Sequence, residues 1–153
     1  MPNYDAGLAD ASPARDPRDF SRLVKRTPAP DLKRLMQSER RTTILDEIFT
    51  GMPAVFRPDK AGTIDAVVHW RIGDRPDGDV DTYELVIANG TCTLSARPER
   101  QPTLALTIGA VDFLKTVTGN ANPMMLFLRG KMKAKGDLGL ATKFPSLFDP
   151  PKA

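Results

Sequence analysis

The chain has 153 residues, 41% of them hydrophobic and 27% charged, with a formal net charge of +3. That length suits one domain with a single core, no apolar run approaches the roughly 18 residues of a bilayer-spanning helix, and so small a positive balance does not by itself indicate nucleic acid. The lone cysteine, Cys92, excludes an internal disulfide and points to a reducing cytoplasm, and the N-terminus lacks the basic start and apolar stretch of a secretory signal.

Residues 1–30 mix Asp, Arg, Pro and Ala without a sustained period and read as a flexible arm ahead of a domain over 31–150. Asp31 is the expected N-cap of a first helix that uses Leu32, Leu35 and Met36. A second helix follows in "ERRTTILDEIFTG", where Ile44, Leu45, Ile48, Phe49 and Met52 share a face and Gly51 provides a stop. The period then changes to two. In "TIDAVVHWRI" Ile64, Ala66, Val68, Trp70 and Ile72 form one side of a strand, with Asp65, His69 and Arg71 on the other. In "DTYELVIANGTCTLSA" the pair Asn89-Gly90 between two alternating runs predicts a type I′ hairpin, and "PTLALTI" supplies a fourth strand.

Helical spacing returns in "AVDFLKTVTG" and again in "NANPMMLFLRG", which Pro123 opens and Gly130 ends. "KMKAKG" alternates as a fifth strand, and Asp137 is the expected N-cap of a last helix in "DLGLATKF" that Pro145 bends or ends. The order ααββββααβα predicts an α+β fold with helices packed on one face of a sheet.

Catalytic patterns are scarce. His69, the only histidine, falls on the polar side of its strand and reads as an exposed strand residue. Cys92 alternates toward the core and reads as a buried, inert thiol. The acid pairs Asp46/Glu47 and Asp79/Asp81 lack partner groups, and no His, Cys or carboxylate spacing suits a metal. "GKMKAKG" departs from the phosphate-loop pattern, and the basic stretch around it lacks the aromatics that stack nucleic-acid bases. The residues therefore nominate no catalytic group, no metal and no cofactor, and they argue against nucleic acid as a partner.

The segments "LDEIFTGMPAVFRPDKAGTIDAVVHWRI", "YELVIANGTCTL", "PTLALTIGAVDFLKTVTGNANPMMLFLRGKMKAKGD" and "LGLATKFPSLF" together resemble the sterol carrier protein type 2 (non-specific lipid-transfer) domain over about residues 42–148. The sharpest part is 111–148, where "DFLKTVTG", an Asn-Pro, an apolar helix and Gly-Lys-x-Lys-x-x-Gly-Asp follow one another. The resemblance implies a five-stranded mixed sheet, a three-strand antiparallel meander plus two further strands, whose helices enclose an apolar tunnel. It implies non-catalytic binding of a sterol, fatty acid, fatty acyl thioester or phospholipid. Residues 1–41 have no counterpart in the minimal domain, and the chain ends in "PPKA" rather than the peroxisomal tripeptide of the well-known carriers. Both departures suit a stand-alone bacterial-type member. An interaction or accessory module with the same fold and a closed cavity is the alternative, and a small-molecule enzyme using His69 is a third.

On this resemblance the expected ligand-binding residues are Trp70, Phe113, Val117, Met124, Met125, Phe127, Leu128, Met132, Leu140 and Phe144. The run "PMMLFL" has more adjacent large side chains than one helix face can bury, and flexible methionines suit a site that accepts varied ligands. Segment 137–148, weakened by Gly136, Gly139 and Pro145, is the expected lid. Lys131, Lys133 and Lys135 share the outer side of the fifth strand, where transient contact with an anionic membrane surface is the expected partner interaction.

Overall fold

The computed structural model describes residues 11–149. Helices α1 (Pro17–Arg26), α2 (Ala29–Met36) and α3 (Arg41–Gly51) come first, followed by a 3-10 turn over Met52–Val55 and a short α4 (Pro58–Ala61). Strands β1 (Ala66–Ile72), β2 (Asp81–Ala88), β3 (Thr91–Leu94) and β4 (Leu104–Ile108) precede α5 (Ala110–Val117) and α6 (Pro123–Leu128). The chain then forms β5 (Met132–Gly136), α7 (Leu138–Lys143) and a 3-10 turn over Phe144–Leu147. The architecture is the α+β fold expected: one five-stranded mixed sheet of order β3-β2-β1-β4-β5. Strands β1, β2 and β3 form the antiparallel meander, β4 joins β1 in parallel, and β5 closes the other edge antiparallel to β4.

Register sorts the strand residues onto two faces. Val68 stands beside Leu85 and Leu104, Trp70 beside Tyr83 and Leu106, and Ile72 beside Ile108. These rows point to the helices. Phe49 of α3 stacks on Tyr83 at 4.1 Å and on Phe113 of α5 at 5.2 Å between ring centroids, so sheet, α3 and α5 share one aromatic seam. The Asn89-Gly90 turn has φ of 53° and 74°, the left-handed pair a type I′ hairpin requires. Gly136, at φ 110°, ends β5 where an added Cβ would lie 2.3 Å from the Thr103 carbonyl oxygen, so only glycine fits.

Three expectations change. The expected arm over 1–30 instead contains α1, whose Phe20, Leu23 and Val24 are buried; the part of the arm over 1–10 lies outside the described residues. Asp16 caps α1 by accepting from the Asp19 N–H at 3.0 Å, and Pro17 occupies the first turn. Ser21 Oγ donates to the Thr118 carbonyl at 2.5 Å and Asn120 Nδ2 donates to the Ser21 carbonyl at 3.0 Å, which ties α1 to the end of α5. Second, Asp31 is not an N-cap but sits in the first turn of α2, where it pairs with Arg34. Third, His69 is buried, not exposed. On that face of the sheet the loop between β3 and β4 meets Glu84 through Ser95 and the Arg100 N–H, beside His69.

Glu84, cross-strand from His69, organises that contact. Its Oε1 lies 3.0 Å from His69 Nε2 and accepts from the Arg100 N–H at 2.8 Å, while Oε2 accepts from Ser95 Oγ at 2.6 Å. Burial alone would raise its pKa, but the hydrogen bonds from Ser95, His69 and the Arg100 amide outweigh it and hold the carboxyl at about 2. Arg41, buried at the start of α3, donates to Asp81 Oδ2 at 2.8 Å, the Ile72 carbonyl at 2.8 Å and the Met36 carbonyl at 3.1 Å. It thereby fixes α2 and α3 to the ends of β1 and β2.

Candidate apolar ligand site

Between the helical layer and the sheet lies a cavity of about 500 Å³. Its floor is Trp70 of β1 and Leu106 of β4, adjacent in the parallel register. Phe20 of α1, Ile48 and Gly51 of α3, and Met52, Ala54 and Val55 of the following turn form one wall. Val117 and Thr118 at the end of α5, Ala121 and Pro123 form another, and Met132, Ala141, Phe144, Pro145 and Phe148 complete the lining.

Glu47 is the only charged side chain in the lining among the described residues, and it accepts hydrogen bonds from Ser12 Oγ and the Ala14 N–H. The lining hydroxyls of Thr116 and Thr118 donate to the Asp112 and Leu114 carbonyls at 2.8 and 2.6 Å. What the cavity offers a ligand is therefore apolar surface. The volume falls within the range of pockets that take small molecules.

Trp70 is the chain's single tryptophan and the hub of the site. Its ring meets Phe113 edge-on at 5.2 Å and Phe144 at 5.8 Å. Its buried Nε1 has no hydrogen-bond partner among the described residues, a cost of about 1–3 kcal/mol.

The expected ligand residues separate into three groups. Trp70, Val117, Met132 and Phe144 line the cavity. Phe113 and Leu140 are buried behind it. Met124, Met125, Phe127 and Leu128 face outward, at 38%, 43%, 38% and 74% exposure, and Leu126 is the one buried residue of α6. Pro13, Ala14, Pro17 and Phe20 join the lining from the segment expected to be an arm. A signal for them was present: Asp16-Pro17 is a helix start, and Phe20, Leu23 and Val24 follow at i, i+3, i+4 spacing.

The expected lid is pinned at its far end. Arg57 N–H donates to the Leu147 carbonyl at 2.7 Å and Asp149 N–H to the Val55 carbonyl at 2.8 Å, with Phe56 and Phe148 forming an isolated antiparallel bridge. α7, capped by Asp137 accepting from the Leu140 N–H at 3.0 Å, and the 3-10 turn over Phe144–Leu147 span the interval between Gly136 and that anchor.

His69 points to the opposite face of the sheet from Trp70, so it does not reach the cavity. Cys92 is buried beside Ile87, and burial pushes its thiol up to about 11. Among the described residues no group of three or more His, Cys, Asp or Glu is placed to hold a metal ion, and no helix is long and apolar enough to cross a membrane.

Residues 54–149 match the model of the SCP-2 sterol transfer family. The chain is 31% identical over 91 residues to the "Sterol carrier protein 2" of Gallus gallus, an alignment that covers 59% of this chain but 17% of that protein. The structure of Sterol Carrier Protein 2 from Yarrowia lipolytica in its apo form is similar with a TM-score of 0.53 at 21% identity, covering 74% of this chain and 94% of that one. The inverting sec-alkylsulfatase Pisa1 from Pseudomonas sp. contains a similar fold with a TM-score of 0.58 at 18% identity, covering 72% of this chain and 17% of the enzyme. The chain thus spans about a sixth of the length of the first of these relatives and about a sixth of the sulfatase. The fold occurs both as nearly a whole chain and as a small part of an enzyme. Since the family match extends over more than half of the chain, this protein belongs to the SCP-2 sterol transfer family.

Proposed function

We propose that the domain binds the apolar part of a lipid (a sterol, fatty acid, fatty acyl thioester or phospholipid) in this cavity and carries it through the cytoplasm without altering it. The observation that carries the reading is a partly open cavity of about 500 Å³ whose described lining holds one charged side chain. A sixteen-carbon chain buried at about 0.8 kcal/mol per methylene gains on the order of 10 kcal/mol, and lost ligand freedom removes several of these. Micromolar affinity then follows with little polar recognition, and selectivity is broad. The cavity extends into a tunnel when α7 swings on Gly136 and Gly139, which makes α7 the gate for loading. The domain acts as a stand-alone bacterial-type carrier in this reading.

Titration of the protein with a fluorescent fatty acid tests the proposal. Saturable binding that unlabelled palmitate displaces, with a matching change in Trp70 emission, is the expected result. No binding at tens of micromolar probe refutes it and leaves an accessory module with a closed cavity. Native mass spectrometry of the purified protein identifies any lipid that co-purifies.

A further inference from the structure

The side chains of α6 form a surface that ligand binding does not use. At about 100° per residue, Phe127, Met124, Leu128 and Met125 fall in that order on one contiguous arc about 160° wide, opposite Leu126. All four are exposed, and Leu128 the most, at 74%. Clustered exposed apolar side chains of this size mark a surface that meets something apolar.

The surrounding charge says what that is. From Phe113 to Gly136 the sequence has no acidic residue and five basic ones, Lys115, Arg129, Lys131, Lys133 and Lys135. Arg129 and Lys131 follow α6 directly, and both are exposed. Lys133 and Lys135 project from β5 on the face opposite Met132, so Arg129 and Lys131 are the cations next to the crest. None of the last four has an ion-pair partner among the described residues. An apolar crest bordered by unpaired cations complements an anionic bilayer, whose acyl region takes the crest and whose head groups take the cations.

We infer that α6 is a membrane-docking element that inserts Met124, Met125, Phe127 and Leu128 into the interface of an anionic bilayer. The cavity opens toward the same place. Pro123, the first residue of α6, lines it, and a shallow depression shared by Gly119, Ala121, Pro123 and Pro145 reaches Met124. Docking by α6 would therefore set the entrance against the membrane and give lipid a path that avoids water. The purpose of the contact rests on the carrier reading; the contact itself does not.

The test is flotation of the full chain with vesicles of phosphatidylcholine alone or mixed with phosphatidylglycerol. Binding to the mixed vesicles is expected at low salt, weakening as ionic strength passes about 0.15 M, where the screening length falls to about 8 Å. The double variant Phe127→Ser/Leu128→Ser, altered only at exposed positions, should bind about tenfold more weakly. Lys131→Gln should cost about fivefold. Both should keep the unmodified affinity for the fluorescent fatty acid. Absence of vesicle binding, or equal binding by the double variant, overturns the inference. So does size-exclusion chromatography that finds a dimer which the double variant dissolves, since the crest would then cover a second copy. Vesicle binding without any fatty-acid binding would refute the carrier reading while leaving the docking surface in place.

Discussion

Replacing Val117 with tryptophan should close the cavity without touching the sheet. Val117 sits at the last turn of α5, half-buried, with its side chain on the cavity wall. An indole brings about seven more heavy atoms than the isopropyl group, and the open volume beside it gives them somewhere to go. If they displace about four methylenes of a bound chain, at about 0.8 kcal/mol each, binding loses about 3 kcal/mol, or roughly two hundredfold in Kd. Fluorescent fatty-acid titration of the Val117→Trp variant reads the loss, and thermal unfolding verifies that the fold persists. A melting temperature near the parent's with unchanged affinity would refute the assignment of this cavity as the lipid site. A collapsed melting temperature would show that the volume is not free to accept the ring, which refutes the same reasoning at its first step.

Other consequences are more local. Arg41→Ala should destabilise the protein by about 3 kcal/mol in urea unfolding, because it removes the donor to the Ile72 and Met36 carbonyls and to Asp81 Oδ2, leaving Asp81 only Arg75, and Arg41→Lys should recover only part of that. Gly136→Ala should lower stability measurably, since its Cβ cannot clear the Thr103 oxygen and the β5 edge must shift. Glu84 has a folded-state pKa of about 2 against the ordinary 4.5, so its contribution is present above the unfolded value and disappears as pH falls from 4.5 toward 2. Glu84→Gln should flatten that part of the stability-versus-pH curve; an unchanged acid limb would contradict the network around Ser95, His69 and Arg100. Cys92, with its thiol raised to about 11, should react with an aromatic disulfide reagent far more slowly in the native protein than in urea.

Where local chemistry was unambiguous, the chain's elements were legible. Asn89-Gly90 between two alternating runs specifies a hairpin, Asp137 before Leu138 specifies a helix start, and Pro123 and Gly130 bracket α6. Of the ten residues expected to bind ligand, Trp70, Val117, Met132 and Phe144 line the cavity, and the other six do not. Phe20 was missed because a 30-residue segment rich in Asp, Arg and Pro hid ten residues of amphipathic helix. His69 was misplaced because two-fold alternation distinguishes the two faces of a strand but not whether a residue on the polar one is buried. The Glu84 partner could have been found from the meander itself, where a hairpin register sets the two residues opposite each other.

The sequence alone determined the strands, the hairpin turn and the starts of α6 and α7, because those depend on interactions within a few residues of the chain. It also determined that the interior would be apolar and that the region from 113 to 136 would be basic. Orientation was decided elsewhere. "PMMLFL" is apolar on every side, so no period distinguishes its inner face from its outer one. Only packing on β5 turns Leu126 inward and leaves Met124, Met125, Phe127 and Leu128 facing out. The cavity is likewise a tertiary product: its walls come from α1, α3, α5, β1, β4, β5 and the terminal segment, and side chains that distant in sequence enclose a space only once the sheet has fixed their separation.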